Sequence, residues 1–260
     1  MDRFQHGGQI YDAEGLAGKF LDTKCSTVFI GPFVKKSGIS LAEYEETEYK
    51  SYNDFFTRKI KQGNRKFEKE PEILSAPCDS KLSAEKITRK GVFFIKNTVY
   101  TMESLLRSKK LAKKYEGGTL LIFRLTVDDY HRYAYIDDGE KTRNYHIPGV
   151  LHTVNPIAGE KYPIYTENVR EFSILKSGNF GNVLMMEVGA LMVGKIVNHH
   201  EACRVKRGME KGFFEFGGST VILAFEKDKI QLDEDILKNS KEGFETIVKQ
   251  GERIGRKKGD

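Results

Sequence analysis

Cysteine is scarce in this chain: Cys25, Cys78 and Cys203 are odd in number, far apart and without a C-x-x-C pair. That spacing gives little support to a disulfide framework or a structural zinc site, so reduced thiols and no bound metal are expected. Long hydrophobic runs are missing too. The most apolar stretch, Val183 to Val197, is interrupted by Glu187, Lys195 and glycines, and falls short of the ~20 residues a spanning helix needs. Met1-Asp2-Arg3-Phe4-Gln5 begins neither an apolar signal core nor a small-residue cleavage site, which points to the cytoplasm. No internal repeat or low-complexity tract stands out.

What is present is a chain of 260 residues, 39% hydrophobic, 11% aromatic and 31% charged. At roughly 150 residues per domain, this predicts one large soluble domain or a domain with a substantial appendage. The net charge of +6 favours anionic partners without choosing among nucleic acid, phospholipid and metabolite.

Ser40-Leu41-Ala42-Glu43 reads as a capping box, predicting a helix through Tyr44, Tyr49, Tyr52, Phe55 and Phe56 with its aromatics on one face. That face is either ordinary packing or an aromatic, basic contact with a membrane. Composition turns polar from Lys61 to Pro71, which marks a linker. The expected division is a helical, membrane-proximal region over 1–66 and a β-rich domain over 67–260. Beyond the linker, short β-branched or aromatic runs recur: Gly91 to Ile95, Thr119 to Leu125, Val169 to Leu175, Val183 to Val188, Leu191 to Val197 and Ser219 to Phe225. Helices are predicted over 101–115 and over 240–250, the latter stopping at Gly251. The fold class is therefore α+β, with a predominantly antiparallel β core and peripheral helices.

The most informative segment is Phe214-Glu215-Phe216-Gly217-Gly218-Ser219-Thr220, in which two glycines precede a hydroxyl residue that opens a β-prone run. Read locally, such a pair is a tight turn or bulge. Glycine also permits strained backbone, and strain can aim the Ser219 hydroxyl at the Gly218 carbonyl.

This segment resembles the cleavage motif of the phosphatidylserine decarboxylases. Six further segments are similar to family landmarks, in family order: Tyr52-Asn53-Asp54-Phe55-Phe56-Thr57-Arg58, Ala76-Pro77-Cys78-Asp79-Ser80, Asp129-Tyr130-His131-Arg132-Tyr133, Ile147-Pro148-Gly149-Val150-Leu151 through Thr153-Val154-Asn155-Pro156, Glu167-Asn168-Val169-Arg170, and Val188-Gly189-Ala190 with Val193-Gly194. The resemblance implies a proenzyme that cuts itself between Gly218 and Ser219. Ser219 would attack the Gly218 carbonyl, form an ester, lose its α-proton and end as an N-terminal pyruvoyl group, the cofactor of the reaction. Histidine as base and Asp79 as its orienting carboxylate divide the work as in serine hydrolases. The implied reaction converts phosphatidylserine to phosphatidylethanolamine and carbon dioxide, with the pyruvoyl carbonyl as electron sink and His131 as a candidate proton donor.

Two departures from the family pattern stand out. Relatives commonly carry a second histidine three positions after the first, the usual base in self-cleavage, whereas this chain has Ala134 there. Either His131 substitutes or the chain processes poorly; His146 and His152 lie downstream. Ser80 stands where relatives commonly have glycine, tolerable only if that position does not need positive φ.

A lipid substrate implies peripheral attachment to an anionic membrane at its cytoplasmic face, through the aromatic helix, the basic run from Arg58 to Lys66 and the cluster Arg107, Lys109, Lys110, Lys113 and Lys114. A homodimer of processed subunits is the expected assembly. Rival readings are decarboxylation of another serine phospholipid or a soluble amino acid, and a non-catalytic barrel-sandwich module, which would need a lysine at an exposed hairpin tip. No recognised nucleic-acid-binding element supports a nucleic-acid partner.

Overall fold

The computed structural model describes residues 18–45, 48–96, 98–152, 165–189, 195–216 and 219–259. At its centre is a nine-stranded sheet in which every recorded pairing is antiparallel. Across the sheet the strands run Cys203–Val205, Gly139–Lys141, Arg170–Ser177, Gly181–Val188, Ser219–Phe225, Thr119–Leu125, Ser80–Lys86 and Thr246–Val248, and Tyr145–Ile147 also pairs with Arg170–Ser177. The expected β-rich α+β architecture is what the chain adopts.

Ser219–Phe225 is buried at all seven positions because the sheet is covered on both faces. Val221, Leu223 and Phe225 face a core with Leu82, Phe123, Leu125, Val183 and Met185. Over that core lie two three-stranded sheets, Arg132–Ala134 with Ile196–Asn198 and Glu210–Phe214, and Ile73–Ser75 with Ile230–Leu232 and Arg253–Lys257. Ile222 and Ala224 face a second core with Leu120, Ile122, Leu184 and Met186, closed by Met102, Leu105 and Leu106 and by the hairpin Phe93–Ile95/Thr98–Tyr100. Each large apolar side chain buried this way contributes roughly 1.5–3 kcal/mol, which is why a seven-residue run suffices to define the central strand.

Three helical expectations are corrected. The 40–56 helix does not form: Ser40 caps only the single turn Leu41–Glu43 and makes no side-chain cap bond. Tyr44 turns extended and bridges Ile60. The actual helix is Tyr52–Phe56, whose cap is Ser51, accepting from the Asp54 amide at 3.1 Å. Its aromatics are interior, with Phe55 0% and Phe56 1% exposed, so they offer no face to a membrane. The 101–115 helix breaks into Met102–Leu106 and Lys109–Lys114, because Arg107 is left-handed (φ 47) and Ser108 starts a new cap. The C-terminal helix is Glu234–Lys241, and Thr246–Val248 inside the expected helical span is a strand. Gly251 does hold positive φ (+85), yet it closes a turn beside a strand, where a Cβ would stand 2.5 Å from the Lys66 carbonyl.

Candidate active site

Ser219 opens the central strand, opposite Leu125, and is 1% exposed. Its hydroxyl has no hydrogen-bond partner among the described residues. A buried hydroxyl normally finds one, which sets this oxygen apart from most buried hydroxyls. Gly217 and Gly218, the other half of the expected cleavage site, lie outside the described residues.

His131 precedes the strand Arg132–Ala134, and its carbonyl accepts the Phe214 amide at 3.1 Å, five residues before Ser219. The imidazole is tilted against the Phe56 ring with centroids 3.7 Å apart, and Phe56 also meets Phe216 edge-on at 5.2 Å. Phe216 in turn donates its amide to the Asn53 side chain at 3.1 Å. The Tyr52–Phe56 helix thus holds the histidine and the segment before Ser219 together. Arg58 and Arg132 complete the clasp: Arg58 donates to the Asp128 and Asp129 carbonyls, and Arg132 to the Thr57 carbonyl at 2.7 Å. Burial, then the Arg58 charge, pull the His131 pKa down to about 3. Both ring nitrogens lack partners among the described residues. Such an imidazole stays neutral at physiological pH and is a weak base.

Asp79 stands at the same end of the sheet. Lys81, Arg124 and Thr220 share one row of paired residues, so Asp79 and Ser219 both lie just beyond that row, separated by two strand spacings, roughly 10 Å. Its oxygens are engaged elsewhere. Arg65 donates to both, at 3.0 and 2.8 Å, the Gln250 amide to one at 2.8 Å, and the Lys249 ammonium lies 3.2 Å from the other. Burial alone would raise this carboxyl, but the Arg65 and Gln250 hydrogen bonds and the Arg65 and Lys249 charges hold it below its usual value. Asp79 and His131 are therefore brought to one end of the fold without a bond between them.

Ala134 is buried, and its amide donates to the Pro77 carbonyl, two residues before Asp79, at 2.9 Å. Position 134 is thus tied through its backbone to the segment that carries Asp79. Ser80 is not among the residues with positive φ, so its Cβ is tolerated. His146 is a surface residue 3.9 Å from Glu171, and the His152 side chain lies outside the described residues.

Sequence reasoning missed two groups. Arg65 sits in the basic run taken for linker and membrane contact, yet it holds Asp79. Glu187 and Lys211 form a fully buried pair at 2.6 Å, bridged by Asn198. The signal for the second was an acidic residue inside an apolar strand, which alternation places on the same face as Ser219.

These features define an α+β protein with a buried serine, without a hydroxyl partner among the described residues, at the head of a central strand and preceded in sequence by two glycines. The sequence profile of the phosphatidylserine decarboxylase family matches residues 52–256. Among curated proteins, the chain is 52% identical over 237 residues to phosphatidylserine decarboxylase proenzyme 2 of Clostridium acetobutylicum, covering 91% of this chain and 81% of that one. It is 46% identical to the phosphatidylserine decarboxylase proenzyme of Clostridium tetani (92% and 82% covered) and 44% identical to that of Ruminiclostridium cellulolyticum (92% and 82% covered). The chain belongs to the phosphatidylserine decarboxylase family.

Proposed function

We propose that this chain is a proenzyme that cuts itself between Gly218 and Ser219 and then decarboxylates phosphatidylserine to phosphatidylethanolamine. The observation that carries the reading is the buried Ser219 hydroxyl, unengaged among the described residues and placed at the head of a strand pinned on both sides. Ser219 fits the role of precursor to an N-terminal pyruvoyl group, which supplies a carbonyl electron sink for loss of carbon dioxide. Around it, this chain's residues exclude water and position groups: Phe56 and Phe216 wall the site, and Arg65 fixes Asp79. To His131, neutral and with both nitrogens unengaged among the described residues, this reading assigns the proton transfer at the substrate carbon.

The test is an intact-mass measurement of the freshly made chain. Two fragments, 1–218 and 219–260, are expected, the smaller with a blocked N-terminus that reacts with carbonyl reagents. Ser219→Ala is expected to stay whole and inactive; cutting at that bond in this variant would refute the reading. Decarboxylation of phosphatidylserine but not free serine separates a lipid enzyme from one acting on a soluble amino acid.

The substrate's acyl chains call for peripheral attachment to an anionic membrane, on the cytoplasmic face. Two neighbouring features support this. Lys109, Lys110, Lys113 and Lys114 are exposed on one short helix, and the nearby hairpin carries the exposed cross-strand pair Phe94 (73%) and Val99 (53%). Apolar insertion beside a basic patch suits a surface of anionic headgroups, with each basic contact worth about 1 kcal/mol. Replacing the four lysines by glutamine is expected to reduce sedimentation with phosphatidylserine vesicles, and unchanged binding would remove this patch from the proposal.

A further inference from the structure

Gln250 is only 9% exposed although it lies in a turn, where polar side chains usually meet water. The turn does not need its side chain. The Gly251 amide donates to the Ala76 carbonyl at 2.9 Å, the Ala76 amide to the Glu252 carbonyl at 2.8 Å, and the Glu252 amide to the Lys249 carbonyl at 3.0 Å. These bonds run through the backbone, and positive φ at Gly251 shapes the bend. None of them depends on which side chain stands at 250.

What the side chain adds is a tie between two other segments. Its Nε2 donates to the Pro77 carbonyl at 3.1 Å, two residues before Asp79, and to the Arg132 carbonyl at 3.3 Å, next to His131. The main-chain amide of Gln250 donates to Asp79 Oδ1 at 2.8 Å. Carbonyl oxygens only accept, so the place calls for two N–H groups on one atom. A primary amide supplies them, whereas a carboxylate or an apolar side chain does not. The Ala134 amide reaches the same Pro77 carbonyl at 2.9 Å, and the His131 carbonyl accepts from Phe214 at 3.1 Å. Gln250 therefore adds a second tie between the Asp79 and His131 segments. It also follows Ser219 in the chain, so on the proposed cut it belongs to fragment 219–260, whereas Asp79 and His131 belong to 1–218.

We propose that Gln250 is a positioning residue for both reactions of the site, its side-chain amide fixing the Asp79 and His131 segments against each other. After the cut the small fragment does this for the large one, so it supplies alignment as well as the keto group. Groups that pass protons work only at a set separation, and a displacement of about 1 Å can cost about a hundredfold in rate. The inference rests on the self-cleaving decarboxylase reading and adds to it the side chain that aligns its parts.

The experiment compares three full-length chains: wild type, Gln250→Met, which keeps the length and removes the donors, and Gln250→Asn, which keeps the donors on a shorter stem. Cutting is followed by intact mass over time. Decarboxylation of phosphatidylserine in detergent micelles is then measured per keto group, titrated with a carbonyl reagent, so that unfolded or uncut chains do not count. Gln250→Met is expected to keep a cooperative thermal transition, to cut about ten- to a hundredfold more slowly, and to lose kcat by a similar factor with KM unchanged. Gln250→Asn is expected to reach one carbonyl at most and to lose less. A folded Gln250→Met chain with wild-type cutting and wild-type kcat overturns the proposal, as does a loss confined to KM. If Gln250→Met does not fold, Gln250→Asn decides by the same criteria; if neither folds, the side chain serves the fold alone and the proposal is overturned. A wild-type chain that neither cuts nor decarboxylates sinks the underlying reading, a result distinguishable from failure of Gln250 alone.

Discussion

At the end of the sheet where Ser177 pairs with Gly181, Asp137 is buried and both its oxygens are engaged, by Arg207 at 2.9 Å, by the Asn179 amide group and by the Ser177 hydroxyl. The opposite end, where Ser219 begins its strand, contains Asp79, held as fully as Asp137, but also Ser219, His131 and Glu187 with atoms unengaged among the described residues. Asp79 and Asp137 are equally buried, at 1% exposed each. The difference teaches that saturated carboxylates hold the fold, whereas on the function proposed here the open polar atoms near Ser219 stand where protons have to move.

The sharpest way to break that comparison is to remove a saturated carboxylate from each end. Asp79→Ala is expected to cost about 3–5 kcal/mol, because it leaves Arg65 without its partner, and also to stop or greatly slow self-cleavage. Asp137→Ala is expected to cost about as much by urea unfolding while cutting proceeds in the folded fraction. If the Asp79 variant, where folded, cuts normally, Asp79 belongs with Asp137 as a structural group.

A pH titration of stability tests the reactive end on its own. The unfolded chain protonates His131 near its ordinary value of about 6.5, but the folded site resists until about 3. The unfolded state therefore binds more protons in that window, and stability falls as pH drops through it, by up to roughly 1.4 kcal/mol per pH unit. Asp79, lowered by its partners, adds a loss in the same direction at still lower pH. In His131→Gln the component between pH 6 and 4 should vanish; its persistence would assign the acid sensitivity to other groups.

The smallest expected effect is at position 134. Ala134→His enlarges a buried side chain and is expected to cost about 1–3 kcal/mol, with faster cutting as imidazole enters the space beside Asp79. No change in cutting rate would show that position 134 is not where this chain lacks a base.

Much of the architecture was legible because its signals are local. Ser219 to Phe225 and Thr119 to Leu125 are rich in β-branched and apolar residues, with Arg124 the one charge between them, and both are strands with the expected bounds. The 40–56 helix failed because periodic aromatics record only that a segment is buried. Tyr44 meets Tyr130 and Arg58, whereas Phe55 and Phe56 pack on Phe33 and Phe216, contacts that one straight helix does not supply. Arg107 broke the next helix through one left-handed residue, for which arginine gives no warning. In the site, Ser219, Asp79 and His131 were visible through family motifs, but Arg65 was not. A basic residue in a polar run looks like linker until the turn at Gly251 brings its segment against the sheet.

The placement of Ser219 within the sheet has one more consequence. The strand it begins is hydrogen-bonded to Gly181–Val188 on one side and Thr119–Leu125 on the other, and residues beyond it build Thr246–Val248 and Arg253–Lys257 into two further ladders. Scission at its head would thus yield an interlocked pair of polypeptides, migrating as a single particle under native conditions and parting only when the whole domain melts.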